Sequence, residues 1–418
     1  MVTARLVGWS PARFAFPLFL GFEAFVLITR TAQWRGEWAW TIDWVGGITV
    51  LLGPFVAGLS AWRAVAVRDM LGEVGGLIGP WRAQRAEYVA IVGWAWLAHL
   101  IGLAVGLGMT AAAGAPGWAP LAPVLPHFAA IAGYAALGLI LGTLVPNPLI
   151  APLTGLVMLF AVTEFSAGVL PALWVYVGGA TSSLAGLHDN PWVLAAQTGL
   201  GAGWAVIGLS VSRLWSGRLR ARWAAVPGAA AVVLCAGWLA TNPAHYLPNH
   251  DTGARTCFGD RPSVCLLRES AASGPAVQHS LSALTAYAES LGARGLPARF
   301  VQVAPTSGEL EGRSFVLNPG AVTNGVYAAE DAAHYFVYDR RCTDAPPADA
   351  IDSLTLVSEY VAIGAHLVTA EQVSDPMLTG LRRLPATARD RWVVRVLAAA
   401  GRCSYAGMRL PAGLAAAP

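Results

Sequence analysis

The chain has 418 residues, a mean hydropathy of +0.54, 56% hydrophobic residues and only 12% charged ones. Soluble domains carry about 25% charged residues, so the composition argues against an ordinary soluble enzyme. The net charge is +3 and every basic residue is arginine; without lysine there is no P-loop to hold the β- and γ-phosphates of ATP.

A membrane span needs roughly 20 mostly apolar residues. Segments 12–29, 44–62, 88–111, 128–145, 149–169, 192–212 and 223–241 meet that pattern, which predicts about seven transmembrane helices. The first lacks a cleavage-site pattern and reads as an anchor. Arginines crowd the N-terminus (Arg5, Arg13), the loop after the second segment (Arg63, Arg68, Arg82, Arg85) and the loop after the sixth (Arg213, Arg218, Arg220, Arg222). The alternate loops hold only Arg30 and Arg35. The positive-inside rule then places the N-terminus in the cytoplasm and everything after the seventh helix outside the cell membrane. Pro146–Asn147–Pro148 is the expected turn between helices four and five.

The chain changes character near 241–243. Sixteen of its 17 tryptophans lie before that point, where interfacial belts use them. Residues 1–242 read as a permease-like membrane domain and 243–418 as an extracytoplasmic one. In the latter, 262–268, 298–304 and 314–318 read as strands, and 275–292, 328–338, 350–366, 374–383 and 387–401 as helices. The predicted fold class is thus an α-helical polytopic membrane bundle followed by a mixed α/β domain large enough to hold its own core.

Cys257, Cys265, Cys342 and Cys403 all fall in the exterior part, and an even number there fits disulfides in an oxidising compartment. Cys257–Cys265 would close a short hairpin-like loop, leaving Cys342–Cys403 to tie two helical segments. Four cysteines allow three pairings, and spacing alone does not choose. No two of them have the close spacing of a zinc-binding pair. Cys235 lies in the seventh segment and reads as an inert thiol.

Several groups are candidates for function. In 64–85, Val67, Met70, Leu71, Val74, Leu77 and Ile78 share one helical face, and Arg68, Asp69 and Glu73 the other. That pattern predicts a short amphipathic helix between two spans, either seating an ATPase subunit or lying on lipid headgroups. Its coupling candidates are Arg68, Asp69, Met70, Leu71, Glu73 and Val74. Glu23 and Glu164 are carboxylates within spans, where ionisable groups are expensive and default to function. Pairing with Arg30 or Arg35 is the structural alternative, and no string of partners suggests a proton relay. Glu330-Asp331-Ala332-Ala333-His334 has the frame of the zinc-protease HExxH helix with its first His replaced by Glu, and Glu359 follows 25 residues after His334. The alternative is chance helical spacing, and the missing imidazole argues against normal proteolysis. Gly102–Gly106 and Gly199–Gly203 are GxxxG pairs that would mark close helix packing. His245 and His250 read as solvated. No nucleophile elbow and no basic run suited to nucleic acid is present.

GPFVAGLSAWRAVAVRDMLGEVGGLIGPWRAQRAEYVAIVGWAW (53–96) resembles actinobacterial ABC-2-like transporter permeases. These have a Gly-Pro within a span, an Ala-Trp exit, an arginine-rich amphipathic segment and a further span. GDRPSVCLLRESAASGPAVQHSLSALTAYAESLG (259–292) is similar to the exterior domain of some members. The resemblance implies a transport subunit that is not itself an enzyme. It would work in the bilayer as a homodimer or beside a second permease. A partner ATPase would supply ATP and Mg, and an amphiphilic peptide, lipid-like molecule or antibiotic would be the substrate. Such permeases usually have six spans; a seventh would serve to deliver the C-terminal domain outside. The alternatives are a membrane-anchored domain of degenerate zinc-protease type and a sensor or scaffold without transport.

Overall fold

The computed structural model describes residues 10–29, 34–74, 80–145, 147–166, 180, 183–214, 220–242, 244–248, 255–303, 313–317, 325–338, 347–373, 375–411 and 414; residues 69–74, 80, 164–166, 212–214, 220–222, 325–330 and 407 are described as backbone alone. Six of the described helical segments are long and apolar enough to cross a membrane. They are Pro11–Ile28, Trp38–Arg68, Trp81–Ala112, Val124–Leu144, Pro191–Val211 and Trp223–Thr241. The expected fifth span appears as a shorter apolar helix, Ile150–Ser166. The chain is thus a multi-pass membrane protein in its helical half.

The bundle comprises α1 (Phe16–Ile28), α2 (Trp38–Gly46), α3 (Thr49–Val74), α4 (Pro80–Ala112), α5 (Val124–Leu144), α6 (Ile150–Ser166), α7 (Pro191–Leu214) and α8 (Arg220–Thr241). A short 3-10 turn, Pro11–Ala15, leads into α1; the Ser10 hydroxyl caps it by accepting from the Ala12 N–H. α2 and α3 form one span broken at Gly46–Gly47. There the Ile48 N–H bonds the Val45 carbonyl at 3.1 Å, a tight turn that paired glycines allow cheaply. α3 then runs without interruption through Arg68 to Val74, and α4 begins at Pro80. The short separate helix expected over 64–85 is therefore absent from the described residues. Of its apolar face, Val67 is buried on α3 and Met70, Leu71 and Val74 continue that helix, while Leu77 and Ile78 lie outside the described residues. α4 has 33 residues, about 50 Å, and overreaches the roughly 30 Å hydrocarbon layer.

Lipid tails give no hydrophobic drive for helix association, so close backbone approach carries the packing. α5 sits at the centre. A Cβ at Gly138 would land on the Ala57 carbonyl and one at Gly142 on the Ala61 carbonyl, so both glycines admit α3. On its other side Gly133 faces the Gly201 Cα of α7, 3.1 Å from where its own Cβ would stand. Both expected GxxxG pairs lie at helix contacts, Gly203 against backbone and the other three against side chains. Gly199 faces Cys235 of α8 and Gly203 faces the Gly228 carbonyl; Gly106 faces Val45 and Gly102 faces Glu23. Large apolar side chains point outward along α4 (Trp96, Leu100, Val105) and α8 (Val233, Leu234). That is the inverse of a soluble protein, and it suits lipid.

A two-stranded antiparallel ladder joins β1 (Leu187–Asp189), just before α7, to β2 (Tyr246–Pro248), just after α8. Beyond it lies the α/β domain, whose sheet has the order β3 (Arg255–Phe258), β4 (Ser263–Leu267), β5 (Arg299–Gln302), β6 (Arg313–Phe315). β3 and β4 form an antiparallel hairpin in which Cys257 lies opposite Cys265, and the two are joined by a disulfide. β4, β5 and β6 run parallel. α9 (Gly274–Ser290) makes the crossover from β4 to β5. α10 (Gly325–Val337), α11 (Ala348–Gly364), α12 (Pro376–Arg383) and α13 (Ala386–Ala400) follow. Leu281, Phe300, Phe315, Phe336, Val357 and Val393 are among the buried residues of one shared core. Cys403 is also disulfide-bonded; Cys342 lies outside the described residues. Cys235 is a free thiol.

Candidate functional site

Three titratable side chains meet inside the bundle, each on a different helix. Glu23 of α1 is 2% exposed, His99 of α4 is 0% and His127 of α5 is 1%. The His99 Nδ1 lies 3.0 Å from the Glu23 Oε1, and its Nε2 lies 3.1 Å from the His127 Nδ1. The groups form a line, carboxylate to imidazole to imidazole. Glycine makes the room. A Cβ at Gly102 would collide with the Glu23 carboxylate, and one at Gly46 with the far edge of the His127 ring. The Glu23 Oε2 is buried and has no hydrogen-bond partner among the described residues. Glu23 therefore pairs with a histidine, Arg30 lying outside the described residues, and the string of partners not apparent in the sequence exists. The missed signal was His99 within an apolar segment and His127 at the edge of the next, which the intramembrane rule covers as fully as carboxylates.

At the arginine-bearing end, Arg63 of α3 holds Glu87 of α4 through two hydrogen bonds, Nε at 3.2 Å and Nη2 at 3.0 Å. The Ser10 hydroxyl donates to the same carboxylate at 2.6 Å. The foot of α1 and the long extensions of α3 and α4 are thus clamped beside the segment expected to couple to a partner. Of that segment, Arg68 lies on α3; Asp69, Met70, Leu71, Glu73 and Val74 continue the helix, with side chains outside the described residues. Glu164 lies on α6, its side chain likewise not described.

The opposite end carries buried carboxylates. Asp43 accepts from the Ala180 N–H and the Tyr246 hydroxyl. Glu37 accepts from the Ser183 hydroxyl at 2.6 Å and the Leu184 N–H at 2.7 Å. Burial nevertheless pushes the Glu37 carboxyl up to about 8; its two donors oppose the shift, and the charges of Glu269 and Asp43 add to it. Asp189 is raised to about 6, by burial first and then by Asp43. His245, half-buried, is lowered to about 4 by burial; His250 lies outside the described residues. A cavity of about 210 Å³ lies here, lined by Glu37, Trp38, Pro116, Trp118, Leu184 and Glu269 among others.

No protein family, curated protein or solved structure matches this chain.

In the α/β domain an open cleft of about 870 Å³ lies between α10, α11 and the start of α12. Asp331 and His334 of α10 and Glu359 of α11 line it, so two members of the expected altered zinc set do share one site. The His334 ring stacks on Tyr338 with centroids 4.0 Å apart. The surrounding walls lower its pKa, although the ring stays open to solvent. Asp331 accepts from the Tyr335 hydroxyl at 3.1 Å. Among the described residues no group of three or more His, Cys, Asp or Glu side chains is placed to hold a metal ion. The side chain of Glu330 is outside them.

Proposed function

We propose that this chain is the membrane subunit of an ABC-type transporter, driven by a separate ATPase chain. The observation that supports it most is the clamped pair α3 and α4. Each is longer than the hydrocarbon layer is thick, and Arg63, Glu87 and Ser10 tie them together at the arginine-bearing end. Such a clamped pair is the part an ATPase can push. The absence of lysine, and with it of a P-loop, makes ATP and Mg the partner's property. In this reading the arginine-rich end is cytoplasmic and α6 completes seven spans across the cell membrane. The α/β domain stands outside, where disulfides persist. A homodimer, or a dimer with a second permease, would enclose the path of an amphiphilic peptide, lipid-like molecule or antibiotic.

Mechanistically, closure of the ATPases would move α3 and α4 together, because breaking their charge pair in a buried site is costly. α5 would follow through its glycine contacts with α3. The test is gentle extraction of the tagged chain from its own host, with mass spectrometry of what copurifies. A stoichiometric chain carrying a P-loop is expected, and Arg68→Glu should release it. Absence of any ATPase, with Arg68→Glu without effect, would overturn the proposal.

The cleft at His334 favours a second reading, a membrane-anchored exterior domain whose ligand or substrate site is that cleft. Bound zinc, or hydrolysis lost in His334→Ala, would establish it.

A further inference from the structure

We propose that Glu23, His99 and His127 form one proton-binding site buried between α1, α4 and α5, with His127 Nε2 as the atom through which the proton enters and leaves. The case rests on their linear order. A buried carboxylate with no arginine beside it among the described residues needs a compensating positive charge or a proton of its own. With His99 bonded at both ring nitrogens, the charge-balanced form is a Glu23 carboxylate, a His99 imidazolium and a neutral His127. In it His99 donates from Nδ1 to the Glu23 Oε1 and from Nε2 to the His127 Nδ1, and His127 keeps its proton on Nε2. Release is a single step. The His127 Nε2 proton leaves as the His99 Nε2 proton passes to His127 Nδ1. Both histidines end neutral, both bonds survive with the second reversed, and the site falls from net zero to net −1.

The surroundings offer this charge nothing else among the described residues. α2 faces it with Gly46, whose absent Cβ leaves room for the Nε2 edge of His127. The carboxylate of α2, Asp43, is turned to the Ala180 N–H and the Tyr246 hydroxyl. α3 meets α1 through Phe55, packed on Phe19 and Phe22. The Phe128 ring of α5 lies 5.7 Å from His99. The deprotonated site therefore places an unbalanced charge among apolar groups of four helices, so proton occupancy is coupled to how α1, α4 and α5 pack. The same line disfavours a metal, since both nitrogens of His99 are already engaged and the three donors do not converge on a point.

The test is NMR of the full chain in lipid nanodiscs with 15N-labelled imidazoles, titrated from about pH 4 to about pH 9 and spanning the ordinary histidine range. His99 and His127 are assigned by difference from His127→Gln. In the unsubstituted protein the two signals should move together, taking up one proton between them, with His99 protonated at both nitrogens in the loaded form. Glu23→Gln should weaken proton uptake at His99 at least tenfold. If Glu23→Gln does not fold, Glu23→Asp and the infrared carboxyl band of the unsubstituted protein serve instead. An unchanging, singly protonated His99 throughout the titration would overturn the proposal, as would a shift of both histidines by stoichiometric zinc.

Discussion

Replacing Gly138 by alanine adds one methyl group where the backbone carbonyl of Ala57 already stands. The obstacle is main chain of a packed helix, so no rotamer change removes it, and α3 must move away from α5. Overpacking of this kind costs about 1–3 kcal/mol, against a gain of about 0.5–1 kcal/mol from better helix propensity. Gly138→Ala should therefore destabilise by about 1–2 kcal/mol. Gly93 of α4 is the control, because nothing lies within 4 Å of a Cβ placed there. Gly93→Ala should be neutral or stabilising by up to about 1 kcal/mol. Thermal unfolding in one detergent, followed by tryptophan fluorescence, would separate the two variants by several degrees. Equal melting temperatures would refute the claim that backbone contact at α5 holds the bundle together.

Glu37 makes the end of the bundle opposite the arginines sensitive to alkali. Its carboxyl keeps its proton up to about 8 when folded, against 4.5 ordinarily. Between those values the folded chain binds more protons than the unfolded one, so stability falls as pH rises through that window. The full difference approaches roughly 5 kcal/mol, at about 1.4 kcal/mol per pH unit. Glu37→Gln should flatten the fall, and melting curves that stay parallel to the unsubstituted protein across the window would contradict it. At the arginine-bearing end, Arg63→Ala strands Glu87 in a site where it is only 16% exposed and should cost about 3 kcal/mol. Combining Arg63→Met with Glu87→Leu should recover much of that loss, read as a coupling in a double-mutant cycle.

The spans were legible because twenty-residue apolar runs have few rival explanations. Helices α9 to α13 and strands β4 to β6 were likewise visible in amphipathic and alternating patterns, whereas the Cys257–Cys265 pairing was one of three that the spacing left open and the hairpin register decides. The break at Gly46–Gly47 was not, since a kinked span and a straight one have the same composition. The fate of 64–85 was misread for a related reason. An apolar stripe looks alike whether it lies on headgroups or continues a helix against its neighbours. The Glu23–His99–His127 line joins residues 76 and 28 positions apart. Only the packing of three helices brings them together, and no local period encodes it. The β1–β2 ladder escaped for the same cause, each strand being three residues long.

That ladder changes how the α/β domain hangs from the helical bundle. A domain following a last helix is usually a weight on a leash, free to swing. Here the leash is tied off at once: Leu187–Asp189 grips Tyr246–Pro248, and the Tyr246 hydroxyl reaches down to Asp43 of the broken span. A tilt of α2 would therefore pull directly on Tyr246–Pro248, the strand from which the chain runs on into the α/β domain.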